Sequence, residues 1–143
     1  FAAIVCNVPL LDMRRYNKLL AGASWVAEYG NPDVPSDWAF LRHNSPYHLV
    51  NATQDYPAVL FTTSTRDDRV HPAHARKMAA RMQAEVPSSA ERVLFHEATE
   101  GGHGGGLPRQ IAAELALRYT FLGGVLGLDV VPASAAHSGR ATR

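Results

Sequence analysis

Two residues of this chain could move a proton together. Asp67 follows the apolar run Ala58-Val59-Leu60-Phe61-Thr62-Thr63, and His103, 36 residues on, sits in Gly101-Gly102-His103-Gly104-Gly105-Gly106. A carboxylate beside an imidazole holds it in the tautomer whose other nitrogen can take a proton from a hydroxyl, and it stabilises the imidazolium that forms. Glycines around the histidine let the backbone pass close to a substrate and tolerate positive φ. The same residue types allow a plainer arrangement. Asp67 and Asp68 could pair with Arg66 and Arg69 in a solvated loop, an interaction worth little.

Other constellations are weaker. His103-Gly104-Gly105-Gly106 has the composition of a lipase oxyanion loop, but that loop precedes a G-x-S-x-G elbow, and no serine of this chain lies in one. The glycines match neither phosphate-binding pattern. His71 and His74 could share a helix face as metal ligands, yet no cysteine or third histidine stands at useful spacing, so no metal site is expected. His43, His48, His96 and His137 read as surface or internally satisfied histidines. Cys6, the only cysteine, excludes an intrachain disulfide and reads as a small hydrophobe in a core strand.

The elements that must hold Asp67 and His103 alternate in type. Residues 1–8, closed by Pro9, read as a strand buried on both faces. Residues 10–24 are expected to hold a short helix. Ser36 or Asp37 could cap a second one that Pro46 ends. Ala58–Thr63 is a strand. Pro72 suits the first position of a helix over 73–86, and Arg92–His96 is a third strand. Pro108 opens a last helix whose Ile111, Leu115, Tyr119, Leu122 and Leu126 fall on one stripe. The order β-α-(α)-β-α-β-α predicts an α/β fold, a parallel sheet with helices on both faces. Chemistry in such sheets gathers at the carboxyl ends of the strands, where the loops 64–71 and 97–107 both lie.

Composition bounds the rest. At 143 residues, 46% hydrophobic and 19% charged, the chain suits one domain with a real core, residues 1–128. Residues 129–143 lack periodicity and are expected to form a disordered tail. A net charge of +1 gives no electrostatic case for nucleic acid or an anionic membrane as partner. No apolar run approaches the roughly 18 residues of a membrane span. The start at Phe1, without Met or a signal-peptide pattern, is expected of a chain cut from something larger. Any signal would then lie upstream. The compartment stays open, with the cytoplasm favoured.

Several ordered stretches together resemble one family. Thr62-Thr63-Ser64-Thr65-Arg66-Asp67-Asp68-Arg69-Val70-His71-Pro72 is similar to the loop that carries the catalytic aspartate in the prolyl oligopeptidase family, and Glu100-Gly101-Gly102-His103-Gly104 to its catalytic-histidine loop. Val8-Pro9-Leu10-Leu11-Asp12-Met13, Ala23-Ser24-Trp25, Glu28-Tyr29-Gly30 and Ser45-Pro46-Tyr47-His48 resemble the same family in the same order. The resemblance covers roughly residues 1–128.

It implies the C-terminal portion of an α/β-hydrolase catalytic domain that cleaves short peptides, usually after proline, and is gated by a β-propeller. Asp67 would be the triad acid and His103 the general base. Arg69 would hydrogen-bond a substrate carbonyl, a role its fixed donor fork suits. Trp25 would stack on the substrate proline, with Leu10 and Val70 lining that pocket. Ordinary core packing is the alternative for Leu10, Val70 and Trp25. The family's nucleophile serine precedes the first strand here, so the chain alone is expected to be inactive. Its partners would be a short peptide and the missing N-terminal part of the same enzyme, with no metal or organic cofactor. Two other readings are an esterase, which has no need of Trp25 beside Arg69, and a truncated binding domain using an uncovered sheet edge.

Overall fold

The computed structural model describes residues 1–128. The expected disordered tail lies outside these described residues. Three parallel strands form the sheet: β1 (Ala3–Asn7), β2 (Ala58–Ser64) and β3 (Val93–Ala98), in the order β1-β2-β3. Ala3 pairs with Ala58 and Asn7 with Thr62, while Val59 pairs with Val93 and Ser64 with Ala98. The central strand β2 is buried along its whole length.

One face of the sheet carries α3 (Ala73–Glu85), which follows Pro72. Ala75, Met78, Ala79 and Met82 of α3 pack with Val59, Phe61, Val93 and Leu11 into the main core. The other face carries α4 (Pro108–Leu126). Its Arg118 Nη2 donates to Asn7 Oδ1 at 2.8 Å, and Thr62 Oγ1 donates to the same oxygen at 2.7 Å. Asn7 and Thr62 alternate with Cys6 and Phe61 along their strands. The period of two therefore puts α4 opposite α3.

Strand β1 is not buried on both faces. It has one neighbour among the described residues, Ile4 is 37% exposed, and Asn7 is open to solvent. Cys6 is half-buried against the main core, where burial pushes its thiol pKa up. The stripe on α4 is likewise uncovered. Ile111, Leu115, Tyr119 and Leu126 are exposed, and Gly123 is the buried residue of that helix.

The segment between β1 and β2 departs most from expectation. Residues 10–24 form no α-helix but two 3-10 turns, Tyr16–Lys18 and Leu20–Trp25, separated by Leu19, with the second opening on Leu20 at a φ of 49°. Close approach is the reason: a Cβ on Gly22 would sit 1.7 Å from the Tyr16 carbonyl oxygen. Short α1 (Val26–Tyr29) follows at once. Helix α2 (Pro35–Leu41) begins on Pro35, with Val34 at its cap rather than Ser36 or Asp37. The Asp37 carboxylate instead accepts from Asn31 N–H at 2.8 Å, outside the helix. Leu41 ends α2, and Pro46 opens a further 3-10 turn, Pro46–Leu49. Met13, Tyr16 and Leu41 make a second, smaller core here, with Leu10, Trp25, Val26 and Trp38 packed against it.

Candidate active site

The loop after β2 is folded around one carboxylate. Asp67 Oδ1 accepts from Arg69 N–H at 2.9 Å and Val70 N–H at 2.8 Å, so the aspartate sets the path of the two residues that follow. Its side chain is fully buried. The solvated arrangement with Arg66 and Arg69 does not occur: among the described residues, Asp67 makes its ion-pair contact with His103.

His103 stands at the tip of a glycine turn after β3, closed by a bridge between Gly102 and Gly105. Gly101 lies at φ +83°, and a Cβ there would sit 2.9 Å from the Gly105 carbonyl oxygen, so a side chain is excluded on both counts. Ser64 Oγ, at the end of β2, donates to Gly101 C=O at 2.7 Å and ties the turn to the strand carrying Asp67. The result is His103 Nδ1 at 3.0 and 3.2 Å from the two Asp67 oxygens. With Nδ1–H donating to the carboxylate, Nε2 keeps the lone pair, the tautomer a general base needs. The imidazole remains 30% exposed, open to a reacting group.

A cleft of about 390 Å³ opens beside this pair. Arg69 and Val70 from the loop after β2 line it, with Leu10 and Trp25 from the chain between β1 and β2, and His103 borders it. Five of the six residues singled out from the sequence thus line one cleft, and the sixth, Asp67, contacts His103 and the backbone of Arg69 and Val70. Three more were not singled out for it: Val8, Glu28 and Tyr29 also line the cleft. Tyr29 stands four positions after Trp25, the spacing that puts two residues on one side of a helical turn, and this signal could have found it. Val8 has a φ of 41°, a strained conformation for a β-branched residue, held by Val8 N–H donating to Thr62 C=O at 2.8 Å. No sequence pattern announces that.

Leu10 and Trp25 rest on the second core. Tyr16 is fully buried, donates its hydroxyl to Gly30 C=O at 2.5 Å, and meets the Tyr29 ring edge-on at 5.8 Å. Burial first, then the charges of Tyr29 and Asp37, pushes the Tyr16 pKa up, so it stays a donor. His71 and His74 act separately. His71 Nδ1 accepts from Ala73 N–H at 3.0 Å at the start of α3, and His74 faces Asp12. Among the described residues no three His, Cys, Asp or Glu side chains gather as a metal would require.

The profile of the prolyl oligopeptidase family matches residues 1–129. An uncharacterized peptidase of Sinorhizobium fredii is 48% identical over 121 residues, covering 84% of this chain and 16% of its own length. The prolyl endopeptidase of Elizabethkingia meningoseptica is 40% identical over 117 residues, covering 80% of this chain and 16% of its own. The solved structure of a post-proline cleaving enzyme from Rickettsia typhi superposes with a TM-score of 0.80 at 38% identity, over 91% of this chain and 18% of that one. The chain thus spans less than a fifth of the length of these relatives. A match over the whole described fold, at such identity, leaves one assignment: the chain belongs to the prolyl oligopeptidase family of serine peptidases, with the α/β architecture of their hydrolase domain.

Proposed function

We propose that this chain supplies the acid and the base of a Ser-Asp-His triad, together with part of a proline-binding pocket, to a peptidase that cleaves short peptides after proline. The observation that carries the reading is the Asp67–His103 contact bordering the cleft that Trp25, Arg69, Val70 and Leu10 line. The serine belongs to a segment preceding residue 1 of a longer protein, for none of this chain's serines lies in G-x-S-x-G. Strand β1, with one free edge among the described residues, offers that segment a place to pair.

In the assembled enzyme, His103 Nε2 takes the serine proton as the hydroxyl attacks the peptide carbonyl. The same nitrogen then delivers it to the leaving amine. Asp67 keeps Nδ1 protonated and offsets the transient imidazolium charge. The Trp25 ring stacks on the substrate proline between Leu10 and Val70, and the Arg69 guanidinium donates to a substrate carbonyl. An ester lacking proline would leave the Trp25 contact unused, which favours the peptidase over the esterase reading.

The test is turnover of a proline anilide by the longer protein with His103→Ala. Loss of about 10⁶ in kcat is expected; undiminished turnover would sink the triad assignment. The 143-residue chain alone should neither turn over that substrate nor be labelled by a fluorophosphonate. Labelling would put the nucleophile within it.

A further inference from the structure

Two of the segments that line the cleft are joined by a buried strut. Leu10 lies two residues before Asp12, and Val70 four residues before His74 on the first turn of α3. Asp12 N–H donates to His74 Nδ1 at 3.1 Å, a buried contact between residues 62 positions apart. Both side chains are almost wholly enclosed, His74 at 2% exposure and Asp12 at 1%.

Neighbouring contacts fix Asp12 rather than compete for it. Its carboxylate accepts from Arg14 N–H at 3.1 Å, from Arg15 Nη1 at 3.2 Å, and from Lys77 of α3. Burial alone would raise its pKa, but the Lys77 hydrogen bond and charge, aided by His48 and Arg15, hold it below the usual carboxylate range. On either side, Leu11 C=O accepts from Tyr47 N–H at 3.0 Å and Met13 N–H donates to Ser45 Oγ at 3.0 Å. The segment carrying Leu10 therefore has its backbone pinned by side chains and a turn, with no strand partner of its own.

We infer that His74 is a positioning residue, whose Nδ1, accepting from the Asp12 backbone, sets the width of the cleft between Leu10 and Val70 and hence its fit to a proline ring. Nδ1 can accept only while the imidazole is neutral, and burial, reinforced by the charges of Lys77 and His71 against the opposing one of Asp12, lowers its pKa to about 4. Nothing of His74 touches the cleft. It acts through Leu10 and Val70.

The inference rests on the proposed proline-cleaving activity, and the experiment separates the two. In the longer protein, kcat and KM are measured for peptide anilides with proline or alanine before the scissile bond. His74→Leu should lower the proline-to-alanine ratio of kcat/KM about tenfold, chiefly through KM for the proline substrate. His74→Asn, whose Oδ1 reaches the place of Nδ1, should restore the ratio. A merely structural role would move the melting temperature and leave the ratio alone. Should His74→Leu fail to fold, His74→Asn is set against His74→Gln, whose oxygen reaches the place of Nε2. Asn should keep the ratio and Gln lower it. An unchanged ratio, or equal loss in both variants, overturns the inference while the triad reading stands. Activity that survives His103→Ala, or a parent with no proline preference, removes the functional reading and this inference with it.

Discussion

Asp67 and His103 hang from the ends of neighbouring parallel strands, whereas Leu10 and Trp25 sit on chain that forms 3-10 turns and irregular backbone. The first pair is placed by the pairing of β2 with β3 and by two short polar ties. One carboxylate oxygen organises residues 67–70, and one serine hydroxyl ties the glycine turn to β2. The second pair depends on contacts between distant residues: Tyr16 to Gly30, Ser45 to Met13, His74 to Asp12. In the proposed function the acid and base are thus held at the carboxyl edge of the sheet, with Arg69 and Val70 beside them, while Leu10 and Trp25 rest on a small separate core. Substitutions on the first side should cost turnover, and those on the second should cost selectivity or stability.

The sharpest way to test that division is Asp67→Asn in the longer protein. An amide cannot hold the required tautomer, so kcat should fall about 10⁴-fold. It would also weaken the turn that carries Arg69 and Val70. A rise in KM would report that weakened turn, and an undiminished kcat would remove Asp67 from the triad.

Acidification separates the halves next. His74 carries a pKa lowered to about 4 against an ordinary 6.5, because burial penalises its charged form. The unfolded chain takes up that proton as pH drops below 6.5, and the folded chain only near 4. Stability is therefore full above 6.5 and declines as pH falls through the window down to about 4, by about 3 kcal/mol. Asp12 adds its own loss only below its ordinary 3.8, since its folded pKa is lowered. The groups facing His74 are Asp12, Lys77 and His71. His48, also lowered chiefly by burial, contributes equally to parent and variant. Melting temperatures from pH 7 to 4 should fall less steeply in His74→Asn, and parallel curves would count against a buried neutral His74.

Trp25→Ala sharpens the comparison on the recognition side. Losing the ring should lower kcat/KM for a proline anilide roughly 10–100-fold while sparing a simple ester. Equal loss on both substrates would assign Trp25 to packing of the second core, against which it lies.

The same contrast decides what could be read in advance. Strands β2 and β3, the helices after Pro72 and Pro108, and the acid and histidine loops follow from local patterns, because apolar runs, prolines and glycines act within a few residues of themselves. The chain from Leu10 to Leu49 is harder. Its apolar residues have helical spacing, yet Met13, Tyr16 and Leu41 spend it on a cluster assembled from separate turns. The positive φ of Val8, held by Thr62, and the polar struts are each set by a partner far away in sequence, and the close pass of Gly22 over Tyr16 is a tight turn that helical spacing conceals. Exposure of β1 and of the α4 stripe could not be read either, since burial depends on which strands and helices stand alongside.

Ser45→Ala probes the smallest of these struts. Ser45 is fully enclosed, accepts from Met13 N–H, lies 3.3 Å from the Leu11 carbonyl oxygen, and sits 2.7 Å from His48 Nδ1. Removing the hydroxyl leaves Met13 N–H without that acceptor, whereas Leu11 C=O keeps Tyr47 N–H. The expected cost is about 1–2 kcal/mol, read as a fall of a few degrees in melting temperature. If the chain carrying Leu10 and Trp25 is as separable as its construction indicates, kcat on an alanine substrate should stay within about twofold of the parent, since an unmoved His103 leaves the chemical barrier unchanged. A drop in kcat as large as that of Asp67→Asn would mean that the strut reaches the catalytic pair. The division between sheet-held chemistry and core-held recognition would then have to be given up.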